Sequence, residues 1–209
     1  GEYPKVDFFG ITGSFDGVAA LSGHLNAQTR SGKLRACGSL DLAGLAPTKL
    51  RSRLPEIIFK TPPYYQVELD INPDFTLGQA NIKANLSNLQ VDGITFDHIA
   101  ANASFQDGIY ELEDLHIRRK GQKLDIDFNF DSRSYDYRTF LIGSIKPDDY
   151  NTLLPQWWAS IFRDFDFNNE DTILSDFIIY GNARSKLADL YYGRARANNI
   201  RYKDVIFDE

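Results

Sequence analysis

From Leu124 to Asp131 apolar and polar side chains alternate without a break. Leu124, Ile126, Phe128 and Phe130 fall on one side, and Asp125, Asp127, Asn129 and Asp131 on the other. A period of two is a strand with one dry face and one wet face. Upstream, "DGIYELEDLHIRR" alternates at Tyr110 and Leu112, then at Leu115 and Ile117. The phase slips at Glu113–Asp114, which predicts a bulge or bend, because one extra residue turns every later side chain over. Gln106-Asp107-Gly108 and Lys120-Gly121 carry hairpin-turn chemistry. "SYDYRTFLIGSI", 134–145, reads as a further strand. The pattern predicts a mainly β fold: a long antiparallel meander interrupted by short Pro-bounded helices.

The helices are expected where the period changes. Tyr150, Leu153, Leu154, Trp157, Trp158, Ile161, Phe162 and Phe165 follow the i, i+3, i+4, i+7 stripe of a helix face. Pro155 inside the stripe favours a short turn and then a helix starting near it. This face either packs over the sheet or touches a membrane surface, where paired tryptophans are favoured. Asp164 and Asp166, with only Arg163 nearby, argue against an anionic surface.

Landmarks recur along the chain in a common order. "SFDGV" at 14–18 answers "SFQDGI" at 104–109, and "SGKLRACGSLDL" at 31–42 answers "KGQKLDIDFNFD" at 120–131. "PTKLRSRLPEII", 47–58, answers "PDDYNTLLPQWW", 147–158. Finally "NLQVDGITFD", 88–97, answers "NIRYKDVIFD", 199–208. A shared order of weak matches predicts about two imperfect repeats. Copy one would cover 1–90 and copy two 91–201, with 202–209 opening a third copy.

Composition narrows the classes. A chain of 209 residues with net charge −6 and no basic run offers no footprint for nucleic acid. Fifteen Phe and eleven Tyr favour strands. The single cysteine, Cys37, admits no internal disulfide and reads as a small buried hydrophobe. No apolar run reaches the ~20 residues of a membrane span, and no signal peptide is visible. A Gly start and the absence of Met read as a processed or excised piece of a longer protein.

Candidate chemistry is sparse. "DFDFNNED", 164–171, starts like a calcium loop, but Asn169 stands at the required Gly and Ser175 at the required Glu. His24, His98 and His116 stand apart, without zinc-ligand spacing. The glycines of "GITGSFDG", 10–17, follow no phosphate-loop order, and no nucleophile elbow occurs. Acidic residues fall on alternating outward positions, and no pair stands out as a general acid and base. No catalytic residue, metal or cofactor is expected.

The order "DG-I-x-L-x-x-L-x-I…G-x-L-x-I-x-F", then "KPDDYNTLLPQWW", then "YYGRARANNIRYKDVIF" resembles the C-terminal regions of AsmA/TamB-like envelope proteins. Asp107-Gly108, Lys123 to Phe130, Pro147 to Trp158 and Tyr191 to Phe207 carry the likeness. The resemblance implies a repeating β-groove, a curved, gutter-like sheet with an apolar concave side. It also implies a place in the periplasm or cell envelope, anchored through a segment absent from this chain. The partner implied is a phospholipid or other acyl-chain lipid, alongside neighbouring repeats or envelope proteins of the longer parent chain. Phe105, Leu112, Leu124, Ile126, Phe128 and Phe130 would line the groove. Leu154, Trp157, Trp158, Ile161 and Phe162 would cap an edge of the sheet or face a membrane. A second reading keeps the strands but seals the apolar face inside a structural or adhesive β-repeat module. A third is a carbohydrate-acting enzyme or carbohydrate-binding domain.

Overall fold

The computed structural model describes residues 5–14, 18–26, 28–39, 56–74, 76–146, 165–167, 173–196, 200–203 and 205–207. These residues hold strands and turns and no helix. In chain order the strands are β1 (Lys5–Ser14), β2 (Val18–Asn26), β3 (Ser31–Gly38), β4 (Ile57–Phe59) and β5 (Tyr64–Ile71). Next come β6 (Leu77–Val91), β7 (Ile94–Gln106), β8 (Ile109–Arg119), β9 (Gln122–Asp131) and β10 (Asp136–Ile145). The last five are β11 (Phe165–Phe167), β12 (Ile173–Asn182), β13 (Ser185–Arg196), β14 (Ile200–Tyr202) and β15 (Val205–Phe207).

Twelve strands form one antiparallel sheet in the order β1-β2-β3-β5-β6-β7-β8-β9-β10-β12-β13, with β4 paired to the far end of β6. The sheet is a meander and does not close into a barrel. A second sheet holds β11-β14-β15.

The tight turns follow from local sequence. Asp92-Gly93, Asp107-Gly108 and Lys120-Gly121 all have positive φ at both positions. That is the mirror turn whose twist matches two flanking strands. Each leaves the neighbouring strand residues in direct register, as at Val91↔Ile94, Gln106↔Ile109 and Arg119↔Gln122.

The predicted phase slip is a bulge. Leu112 pairs with Phe128 and Leu115 with Ile126, so Glu113 and Asp114 together oppose Asp127. Asp114 takes φ +52°, and Leu112 and Leu115 thereby keep to the same face.

The segments 47–55 and 147–164, where the helices are expected, lie outside the described residues. Two expectations are corrected, for the ends of those stretches and for Cys37. Ile57 and Ile58 open β4 and Phe165 opens β11, because the backbones of β6 and β14 supply cross-strand partners there. The run 187–208 holds three strands. It breaks into β13 and the β14–β15 hairpin, where Lys203 has φ +54°. Cys37 is exposed. The period of two puts it beside Arg35 on the wet face, while Leu34 and Ala36 alternate to the dry one.

The core sits where β6 turns into β7. Leu89, Ile94, Phe96 and Leu124 are buried there, packed against Ile57, Phe59, Leu86, Val91, Ile99, Ile117, Ile126 and Leu141.

The two matching stretches occupy equivalent places. In the first, Leu89, Gln90 and Val91 pair with Phe96, Thr95 and Ile94. In the second, Ile200, Arg201 and Tyr202 pair with Phe207, Ile206 and Val205, the same register 111 residues later. A third short strand flanks each hairpin. Ile57↔Val91 and Phe59↔Leu89 on β4 answer Phe165↔Tyr202 and Phe167↔Ile200 on β11. The likeness extends to the main sheet. Tyr64↔Asn85 through Asp70↔Gln79 is matched pair for pair by Leu174↔Arg196 through Tyr180↔Leu190.

Candidate functional site

Directly opposed residues of antiparallel strands project to the same face, so the register defines two faces. One apolar row crosses Leu34, Leu69, Ala80, Phe105, Tyr110, Phe130 and Tyr137. The next crosses Val67, Ile82, Ala103, Leu112, Phe128, Thr139 and Ile179. A third carries Leu86, Ile99, Ile117, Leu124 and Gly143. The opposite face carries Arg35, Glu68, Asn81, Ser104, Glu111, Asn129 and Arg138 in a single row.

All six candidate groove residues share the apolar face, and β7, β8 and β9 bring them together. They do not share one environment. Leu124 is 6% exposed and belongs to the core. Phe105, Leu112, Ile126, Phe128 and Phe130 are half-buried. The aromatic rings meet in two sets: ring centres lie 4.8 Å apart for Phe105 and Tyr110 and 6.0 Å for Tyr110 and Phe130, and 6.4 Å for Phe128 and Tyr137. Leu154, Trp157, Trp158, Ile161 and Phe162 lie outside the described residues.

Sequence reading missed Tyr137 as a member of this face. Around it Phe140 and Ile142 alternate out of phase with Tyr137 and Leu141, so β10 is apolar on both sides and its inner side is set only by pairing with β9. Tyr137 donates its hydroxyl to Asp189 at 2.8 Å. Partial burial and the neighbouring carboxylate push the phenol up to about 12, since both oppose a phenolate.

Large side chains on the apolar face are seated against glycine. Gly143 opposes Leu124, and Gly193 opposes Phe177. A Cβ at Gly143 would meet the Leu124 Cα at 2.8 Å, and one at Gly193 would meet the Phe177 Cα at the same distance.

The charged face carries ion pairs between neighbouring strands. Lys33–Asp70, Arg35–Glu68 and Arg194–Asp176 are cross-strand ion pairs at 3.0, 3.1 and 3.0 Å. All are exposed, and such pairs contribute about 0–1 kcal/mol each. Glu111 accepts from Asn129 at 3.0 Å and Ser104 at 3.3 Å. An open hollow of 490 Å³ lies beside the bulge, bordered by Glu111, Glu113, Asp127, Arg138, Phe140 and Ile178. Among the described residues no three His, Cys, Asp or Glu side chains converge as metal ligands. Toward β13 this face turns apolar, and Ile142, Leu174, Tyr180, Leu190 and Tyr192 are exposed there.

Comparison of the chain with protein-family models, with curated proteins and with solved structures finds no match.

Proposed function

We propose that this chain binds acyl-chain lipid along the apolar face of its open sheet, without catalysis. The observation that carries the reading is the half-burial of five contiguous apolar side chains, Phe105, Leu112, Ile126, Phe128 and Phe130, on one face of a sheet that does not close. Each CH₂ sheltered there would contribute about 0.8 kcal/mol, so a chain of a dozen carbons laid across the strands would bind without any polar recognition. Strands that repeat in register lengthen the path. The resemblance of its sequence to AsmA/TamB-like proteins supports a reading in which the chain acts in the periplasm or envelope, with phospholipid as cargo and neighbouring repeats as partners.

The test is native mass spectrometry of the purified chain with extraction of bound material, joined to a Phe128→Trp probe. Bound phospholipid, together with a blue shift of the probe on adding phosphatidylethanolamine–phosphatidylglycerol vesicles, supports the reading. An apo mass and an emission that lipid leaves unmoved overturn it.

The second reading, a structural β-repeat module with a sealed apolar face, is favoured by one observation. Leu89, Ile94, Phe96 and Leu124 already form a closed cluster. An emission from Phe128→Trp that is blue from the start and insensitive to lipid is its expected signature.

A further inference from the structure

In the middle of the sheet one line of side chains differs from the rest of the polar face. Ser87 pairs with His98, His98 with Arg118, Arg118 with Lys123, and Lys123 with Ser144, so β6 to β10 set these five residues side by side. Their chain neighbours Leu86, Ile99, Ile117, Leu124 and Gly143 form the third apolar row, and alternation puts the line on the opposite face. Every member can donate a hydrogen bond and none is a carboxylate. Arg118 and Lys123 are exposed, and His98 is half-buried. Elsewhere on this face cations meet acids across the strands: Lys33 meets Asp70, Arg35 meets Glu68, His116 meets Asp125 and Arg194 meets Asp176. Among the described residues no ion pair reaches Arg118 or Lys123. Asp97 and Asp125, the carboxylates beside the line in sequence, are engaged with the backbone N–H of Lys120 and with His116. Like charges directly opposed destabilise a sheet, and an anion held between them removes that repulsion.

We propose that this line, centred on Arg118 and Lys123, is a binding site for a phosphate group. Neighbouring strands lie about 4.8 Å apart, which lets the guanidinium and the ammonium close on one tetrahedral anion. Arg118 supplies paired donors that fit two phosphate oxygens, and Lys123 supplies a point charge. His98 meets Ser87 through Nδ1, which leaves Nε2 to face the ligand. The Ser144 hydroxyl lies at the other end, where it accepts from the backbone N–H of Lys123 at 3.3 Å. A carboxylate has two oxygens and one charge, so a phosphate uses more of the line. Three basic side chains suit a single phosphate and not a polyanion, in keeping with a net charge of −6. The group is either free phosphate or the headgroup of a phospholipid. The site lies on the face opposite the acyl-chain path, so it stands if that reading fails.

The experiment is a proton–nitrogen NMR titration of the full chain with inorganic phosphate at constant ionic strength, joined to sedimentation with vesicles. Phosphate should give saturable shifts centred on the Arg118 Nε–H and on the amides of His98, Arg118, Lys123 and Ser144. Arg118→Gln and Lys123→Gln should each weaken the binding about tenfold, the loss of one charge-assisted hydrogen bond. Lys33→Gln, at a cation that already faces Asp70, should leave it unchanged. Vesicles of phosphatidic acid and phosphatidylcholine in equal parts that sediment the unaltered chain, but not Arg118→Gln, assign the phosphate to a lipid headgroup. Saturable shifts without sedimentation assign it to a soluble ligand. Absence of shifts overturns the proposal when sedimentation is also absent, or when Arg118→Gln leaves sedimentation intact. So does a Lys33→Gln variant weakened as much as Arg118→Gln. Hexaglutamate bound as tightly as phosphate also overturns it, and makes the line a contact for an acidic peptide.

Discussion

The backbone N–H of Asp114 donates to the carboxylate of Asp127 at 3.0 Å. This bond closes the bulge that keeps Leu112 and Leu115 on one face, opposite Phe128 and Ile126. It lets β8 carry one residue more than β9 without exposing its apolar side.

The bulge makes a prediction about residue type. Asp114 sits at φ +52°, where glycine is unstrained and a β-branched residue is not. Asp114→Gly should change stability by no more than about 0.5 kcal/mol, whereas Asp114→Val should cost about 1–2 kcal/mol. Asp127→Ala removes the acceptor and should cost about 1 kcal/mol. Urea midpoints at constant slope measure all three.

A second prediction concerns space at the core. Because the neighbouring backbone already occupies the position of a Cβ at Gly143, Gly143→Ala should force β9 and β10 apart and cost about 1–3 kcal/mol. Leu124→Ala should cost about 2–5 kcal/mol. The atoms that crowd a Cβ at Gly143 are backbone atoms of Lys123 and Leu124, so Leu124→Ala should not rescue Gly143→Ala, and the double variant should lose about the sum of the single losses.

Asp131 gives a pH signature. Hydrogen bonds from the Arg133 side chain and backbone, aided by its charge, hold this carboxyl at about 2, below its ordinary 3.8. A carboxyl whose pKa falls on folding stabilises the fold above its unfolded value and stops doing so as pH drops through the folded one. The contribution is therefore complete above pH 3.8 and gone below about 2. Arg133→Gln should return the carboxyl toward 3.8 in a carbon-detected NMR titration. A carboxyl that stays near 2 in that variant would exclude Arg133 as the cause.

At the alkaline end Tyr137 behaves in the opposite sense. Its phenol is raised from 10 to about 12 by burial and by Asp189, so the fold stabilises the neutral form. That contribution is whole below pH 10 and is lost as pH rises through about 12. Asp189→Asn should lower the midpoint of the Tyr137 absorbance change, while Tyr137→Phe should remove the change.

Much of this fold is legible in the chain. The Asp107-Gly108 and Lys120-Gly121 turns and the Glu113–Asp114 bulge are written in local backbone preference and phase, and the structure places them as read. Partner choice is not local. Alternation in Tyr64–Ile71 does not reveal that it pairs with Ser31–Gly38 across an intervening segment. Nor does alternation distinguish Leu124, which is buried, from Phe128 four residues on, which is half-buried. Both occupy dry-face positions of one strand, and the difference arises because Leu89, Ile94 and Phe96 converge on only one end of it.

The order of strands also sets how the sheet comes apart. From β5 to β10 each strand bonds to the next one in sequence, mostly through tight turns. The steps from β3 to β5 and from β10 to β12 instead span residues 39–63 and 146–172. Closing a span of that length costs on the order of 2 kcal/mol more chain entropy than closing a two-residue turn. Amide hydrogen exchange should therefore divide the sheet into three blocks, β1–β3, β5–β10 and β12–β13. The middle block, which holds the core, should open last.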